Sequence, residues 1–294
     1  MQTGFIAVGI GLMAEPEVMS LAAETAEQAG FHSIWAPEHI VLLDRYASRY
    51  PYSADGKFPS PNMQVEILDP FAALTFIAAQ TKTIRLGTGI CLVPERNPLT
   101  TAKEVATLDK LSGGRFDFGV GIGWLEEEFT ALGIPWPRRA ARTREYLHVM
   151  KKLWTEEETA FEGEFCSFPS VRSYPKPVQK PHPPIIFGGE SEPALKRAGE
   201  VGDGWFGMNV SVADAKTKIT KVKEYARAAG RNPDTLQISI SPGMGTALTR
   251  DDLKRAQDAG VHQLIVGSFP ADLQAVKDDM SRLAEQIVAP AANL

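Results

Sequence analysis

Three consecutive carboxylates, Glu126, Glu127 and Glu128, follow a tryptophan and a glycine-rich run in the stretch Gly113-Gly-Arg-Phe-Asp-Phe-Gly-Val-Gly-Ile-Gly-Trp-Leu-Glu-Glu-Glu128. The order of residue types reads as a turn, a short buried strand and glycines that open onto a ligand-facing loop. Gly119, Gly121 and Gly123 take every second side chain off one face, which lets backbone or a flat ligand approach closely. A dinucleotide fingerprint matches poorly, because the third glycine of GxGxxG falls at Trp124 and no acidic ribose partner stands after a clear second strand. A core strand whose glycines serve helix packing is the plainer alternative.

Other residues of chemical interest stand at similar positions. His39 closes the segment Phe31–His39 beside Glu38, and a histidine at a strand exit donates or accepts a proton near neutral pH. The same residue also reads as an ordinary polar group packed beneath a long loop. Ile186-Phe-Gly-Gly-Glu-Ser191 leads from a strand into a helix, so its backbone N–H groups suit a phosphate or another anion, or else Ser191 simply caps the helix. Trp35, Trp124 and Trp205 each lie in or at the end of a strand, where three indoles suit a flat aromatic cofactor and core packing explains each one as well. No metal is expected: the 5 histidines are scattered without HxH or HExxH spacing. Cys91 and Cys166 form neither a CxxC pair nor a Cys/His ligand set. Nucleophilic catalysis has no GxSxG and no evident activating partner for either thiol.

The chain that positions these residues has 294 residues, of which 44% are hydrophobic and 23% charged, an ordinary globular composition. A net charge of −5 argues against nucleic acid, which needs clustered Lys and Arg, and points to a small-molecule substrate. No apolar run reaches the roughly 18 residues of a membrane span. No Lys or Arg precedes Arg45, so the charged start of a signal peptide is missing. A cytoplasmic protein without membrane partners is the expectation.

Strands are expected over 4–10, 31–39, 84–93, the glycine-rich stretch, 185–189, 202–207, 236–241 and 262–267. Helices fall between them: 16–29 with Gly30 as its stop, 69–81 opened by Asp69-Pro70, a helix capped by Asn97-Pro98, 138–154, 192–198, 212–229, 251–259 and 271–288. Eight strands alternating with helices, with no composition break, favour an α/β fold of the (β/α)8 TIM-barrel type as one domain over 1–294, rather than a doubly wound sheet. Two stretches break the rhythm and read as insertions after strand 2 and after helix 4. Residues 41–66, rich in Pro, Tyr, Ser and Arg, are too long for a βα connection and read as a functional lid. Residues 156–184 carry acidic residues and six prolines. In such a barrel the ligand lies at the C-terminal strand ends, where His39, Gly89, Trp124, Gly188 and Gly189 all fall.

Several longer motifs carry a specific resemblance. Gly30-Phe-His-Ser-Ile-Trp-Ala-Pro-Glu-His39, Ser48-Arg-Tyr-Pro-Tyr-Ser-Ala-Asp-Gly56, Arg85-Leu-Gly-Thr-Gly89, Ala106-Thr-Leu-Asp-Lys-Leu-Ser-Gly-Gly-Arg115, Gly119–Phe129, Pro175-Lys-Pro177, Phe187-Gly-Gly189 and Asp203-Gly-Trp205 together span most of residues 4–210. The chain is similar to the luciferase-like flavin and deazaflavin oxidoreductase superfamily, most of all its coenzyme F-420-dependent branch. That resemblance implies hydride transfer between a deazaflavin and a small organic substrate. An FMN-dependent monooxygenase, fed reduced flavin by a separate reductase, is the alternative. It implies His39 as the proton partner and a non-proline cis peptide at Gly89-Ile90 backing the cofactor ring. It also implies cofactor contacts at Trp124, Glu127, Gly188 and Gly189, and a homodimer. One departure stands out: sugar-phosphate dehydrogenases of the superfamily place a catalytic Glu where this chain has Trp124. A more apolar or aromatic substrate is therefore expected.

Overall fold

The computed structural model describes residues 1–60 and 64–294; part of the 41–66 stretch, residues 61–63, lies outside the described residues. In chain order the elements are β1 (Gln2–Ile6), α1 (Pro16–Gln28), β2 (Ser33–Ala36), α2 (Pro70–Gln80), β3 (Arg85–Thr88), β4 (Cys91–Leu92), α3 (Pro98–Leu111), β5 (Phe116–Gly121), α4 (Glu126–Ala131) and α5 (Arg139–Thr155). They continue with β6 (Thr159–Glu162), β7 (Ser167–Val171), β8 (Ile185–Gly188), α6 (Glu192–Val201), β9 (Gly204–Met208), α7 (Val212–Ala228), β10 (Gln237–Ser241), α8 (Arg250–Asp258), β11 (Gln263–Gly267), α9 (Leu273–Leu283) and α10 (Ala289–Ala292).

Eight strands pair in parallel in the order β1, β2, β3, β5, β8, β9, β10, β11, and β11 returns to β1. The sheet is thus a closed (β/α)8 barrel with no free edge to protect. β4 is a two-residue extension that re-pairs with β5 through Cys91 and Val120 after the backbone bulges at 89–90, where one continuous strand over 84–93 was expected. β6 and β7 form a separate antiparallel hairpin within the 156–184 insertion.

Local chemistry accounts for the helix ends. Asn97 accepts from the amides of Leu99 and Thr100 at the start of α3, and Asp69 accepts from Ala72 at the start of α2. α8 opens with a reciprocal Thr249–Asp252 capping box. At the C-terminus the expected single helix over 271–288 is α9 followed by a π-turn at Ala284–Val288. No described helix is long and apolar enough to cross a membrane.

Two apolar layers follow from the period-2 alternation of each strand. Phe5, Ile34, Leu86, Phe118, Phe187, Ile238 and Leu264 face outward into the large core under the helices. Ile6, Trp35, Ile186, Phe206 and Ile265 face inward and fill the barrel, with Ile90, Met208 and Met244 packed on them from above. Trp35 is the plug of this inner core: it is 1% exposed, its ring lies 5.4 Å from that of Phe206, and its indole N–H donates to Ser33 at 2.6 Å.

Candidate active site

The glycines of β3 and β5 serve the barrel's own packing, not an open ligand face. A Cβ on Gly87 would sit 2.3 Å from the Trp35 ring, one on Gly119 would sit 1.8 Å from the Thr88 carbonyl oxygen, and one on Gly121 would sit 1.9 Å from the Ile90 side chain. The first accommodates the indole and the other two accommodate the bulge, at which the Gly89-Ile90 peptide bond is cis. Ile90 turns inward against Gly121 and Gly188, so with Met208 and Met244 it makes an apolar floor to the mouth of the barrel.

Above that floor stands His39. Its Nδ1 is 2.7 Å from Glu128 Oε2, and its Nε2 is 3.3 Å from the Trp124 indole nitrogen. An indole N–H only donates, so Nε2 accepts and the ring is the neutral tautomer with its proton on Nδ1, directed at Glu128. The arrangement is a base with an orienting carboxylate behind it and its lone pair facing the mouth.

Glu128 is fully buried, and its other oxygen accepts from the amides of Ile40 and Val41 at 2.6 and 3.0 Å. Glu127, the neighbour singled out from sequence as a cofactor contact, receives the amides of Ala47 and Ser48 through Oε1, while its buried Oε2 has no hydrogen-bond partner in the protein. Glu126 anchors the same loop by donating its amide to the Ser48 hydroxyl at 3.1 Å. The carboxylate run is therefore a fastening strip for the 41–60 lid, with Glu128 also orienting the histidine. On the far side the lid is tied down by Tyr52: its carbonyl accepts from Asn209 Nδ2 at 3.1 Å, and its phenol hydrogen-bonds to Glu190. Glu190 in turn accepts from the Met208 amide at 2.6 Å, and burial pushes its pKa up to about 7.

The lid lays aromatic rings over the histidine. Phe58 meets His39 edge-on at 5.6 Å, while Tyr46 and Tyr50 meet Trp124 at 5.7 and 5.1 Å. Of the three tryptophans, only Trp124 belongs to this site. Trp35 fills the barrel interior, and Trp205 lies outside the sheet, where its indole donates to the Gly189 carbonyl at 2.9 Å and fixes the β8 exit. That exit runs through Gly188 and Gly189, the latter at φ +103, into α6. The hydroxyl of Ser191 does not cap α6; its carbonyl instead accepts from the amides of Ala194 and Leu195 at 2.8 and 3.0 Å, and Pro193 has no N–H to offer.

Beside α6 three arginines converge. Burial, with the Arg139 and Arg144 guanidiniums beside it, holds Arg197 below its ordinary pKa, and its buried Nε has no hydrogen-bond partner in the protein. Arg139 lies flat over the Trp136 ring at 3.5 Å and reaches the Gly123 carbonyl at 3.4 Å. Sequence reading overlooked this cluster: Arg139 and Arg197 are far apart in the chain, and no spacing signals that they meet. A concavity of about 1020 Å³ at the opposite end of the barrel is lined by His32, Arg85, Asp117 and His262. There Arg85 is bound to the Asp117 carboxylate at 2.9 and 2.5 Å, an arrangement that suits a stabilising base of the barrel.

The fold is a closed (β/α)8 barrel with a histidine at its mouth, and sequence comparison gives its family. The luciferase-like monooxygenase family model matches residues 11–292, and the chain belongs to that family. An uncharacterized protein of Mycobacterium tuberculosis is 35% identical over 92% of this chain and 93% of its own length. The FMNH2-dependent dimethylsulfone monooxygenase of Pseudomonas putida is 32% identical over 71% of this chain and 53% of its own. Among solved structures, an F420-dependent secondary alcohol dehydrogenase superposes with a TM-score of 0.78 at 21% identity, covering 98% of each chain; that likeness supports the fold.

Proposed function

We propose that this luciferase-like protein is an oxidoreductase that moves a hydride between a deazaflavin, coenzyme F-420, and a small organic substrate, with His39 handling the accompanying proton. One observation carries the reading. His39 is held as the tautomer whose Nε2 accepts, at present from the Trp124 indole, while Glu128 takes the opposite N–H.

The residues present fit a flat ring with an anionic tail. The floor of Ile90, Met208 and Met244 is apolar, the face a ring system stacks on. The unpartnered Nε of Arg197, with Arg139 beside it, suits a phosphate. Bound there, the deazaflavin supplies two-electron hydride chemistry at its ring. The protein's own part is placement and proton handling. A substrate hydroxyl that reaches Nε2 takes the place of the Trp124 indole and gives its proton to the imidazole, and Glu128 stabilises the imidazolium that results. In the reverse direction the imidazolium returns that proton to a carbonyl oxygen. Tyr46, Tyr50 and Phe58 of the lid keep water from the reacting centre, and with Trp124 they favour an apolar or aromatic substrate over a sugar phosphate.

The test is exchange of the deazaflavin hydride with candidate alcohols and carbonyl compounds, in wild type and in His39→Ala. Stereospecific exchange that depends on His39 supports the reading; exchange unchanged by the substitution contradicts it. A second reading, an FMN-dependent monooxygenase, is favoured by the 32% identity to the Pseudomonas enzyme. Oxygen uptake with reduced FMN would select it.

A further inference from the structure

Behind the histidine lies a carboxyl group that the proposed reaction does not use. Glu95, in the short turn between β4 and α3, is 5% exposed, and neither of its side-chain oxygens has a hydrogen-bond partner in the protein. It sits under the turn that carries Trp124: a Cβ on Gly123 would lie 2.8 Å from Glu95 Oε1 and 2.7 Å from the Phe129 ring. The charged groups around it come from every neighbouring element. Glu128 faces it from α4 and Glu38 from the β2 exit. Arg96, the next residue, turns its guanidinium to Glu38, Asp69 and Glu104. Arg139 of α5 reaches only the Gly123 carbonyl.

A carboxylate buried with no donor and with two other carboxylates at hand loses its hydration and gains repulsion. The uncharged acid loses far less. The charge of Arg96 offsets part of this, but its donors go to three other carboxylates and none reaches Glu95.

We propose that Glu95 is a positioning residue for the His39–Glu128 pair, kept as a protonated carboxylic acid under the Gly123 turn, so that Glu128 is left as the one charged carboxylate behind the imidazole without an arginine partner. The inference rests on the reading of His39 as the proton partner. Its consequence for that reading is specific. A neutral Glu95 leaves the imidazole free to give its proton back, whereas an ionised Glu95 adds a second negative charge behind Glu128 and holds the imidazolium longer. Burial, with Glu128 and then Glu38 beside it, pushes the Glu95 pKa up to about 9, so the change falls on the alkaline side of neutrality.

Infrared spectroscopy of the whole protein without cofactor tests the assignment directly. At pH 7 the spectrum of the wild type minus that of Glu95→Gln, and minus that of Glu95→Leu, should show the carbonyl band of one protonated carboxylic acid. In parallel, the ring nitrogens of His39, followed by NMR, should show a second titration step near pH 9 in wild type that both variants lack. Using two neutral replacements separates loss of the acid from a misplaced glutamine amide. Difference spectra at pH 7 without that band overturn the proposal. Because neither readout involves a cofactor, failure here leaves the hydride-transfer reading standing, and failure of F-420 to bind leaves the protonated Glu95 standing.

Discussion

Glu128 binds His39 with one oxygen, at 2.7 Å from Nδ1, and the backbone of Ile40 and Val41 with the other. One buried side chain thus sets the tautomer of the base and the first residues of the lid that covers it. Orientation of the proton carrier and closure of the site are therefore coupled through a single carboxylate, and loss of that group disturbs both.

Replacing His39 by alanine should lower kcat by about 100- to 10,000-fold, the usual worth of a positioned acid–base group. Cofactor affinity should change little, because the floor and the arginines proposed to hold the cofactor are separate from the imidazole. Steady-state kinetics alongside equilibrium binding checks both halves.

Glu128→Ala removes the acceptor of three hydrogen bonds from a fully buried position. A loss of about 3 kcal/mol in unfolding free energy is expected, together with faster amide exchange at Ile40 and Val41. Glu128→Gln keeps an oxygen for those amides but no longer orients the imidazole as an anion does. Its stability should lie nearer wild type while its kcat falls almost as far as that of His39→Ala.

The lid should respond to pH through Glu190. With its folded pKa raised to about 7, from an ordinary carboxylate value, the closed state binds a proton that the open state releases. The stability of closure is thus fully present at low pH and declines as pH rises towards 7. Hydrogen exchange of residues 47–56 should quicken across that interval in wild type and be nearly flat in Glu190→Gln. The same exchange profile in both proteins would show that Tyr52 is held by something else.

Gly119→Ala places a methyl group 1.8 Å from the Thr88 carbonyl. Backbone cannot yield as a flexible side chain does, so destabilisation of more than about 2 kcal/mol is expected. Thermal unfolding measures it. Gly113→Ala makes the control for context, since a Cβ there meets nothing within 4 Å and only its positive φ of +70 opposes the change.

Arg197→Leu should weaken binding of a phosphate-bearing cofactor by roughly 10- to 100-fold, the loss of one charge-assisted contact. The melting temperature should hold or rise, because a guanidinium crowded by two others has gone. Titration with the cofactor and with a form lacking the phosphate distinguishes the tail from the ring.

How far the sequence disclosed this molecule differs from level to level. The eight barrel strands were legible because most are short apolar runs, β-branched or next to glycine, and Asn97, Asp69 and Gly30 mark helix ends by rules that act within a few residues. His39, Gly89 and Trp124 were legible as strand-exit residues. The roles of Glu127 and Glu128 were not: successive helical residues point about 100° apart, and which of them meets His39, 89 positions away, depends on how β2 and β5 close around β3. The glycines of β5 were misjudged for a similar reason. Their missing side chains make room for Ile90 and Thr88 on a neighbouring strand, and a linear pattern carries no record of what lies across a barrel. For Trp35 the sequence leaves a ligand surface and core packing equally open, and the closed sheet decides for the core by placing it at the centre.

The most direct measurement is titration of the purified protein with coenzyme F-420 and with FMN, followed by fluorescence, in wild type and Arg197→Leu. Saturable binding of the deazaflavin in preference to FMN, weakened by the substitution, is the predicted result. Preference for FMN, or binding of neither, contradicts the deazaflavin assignment.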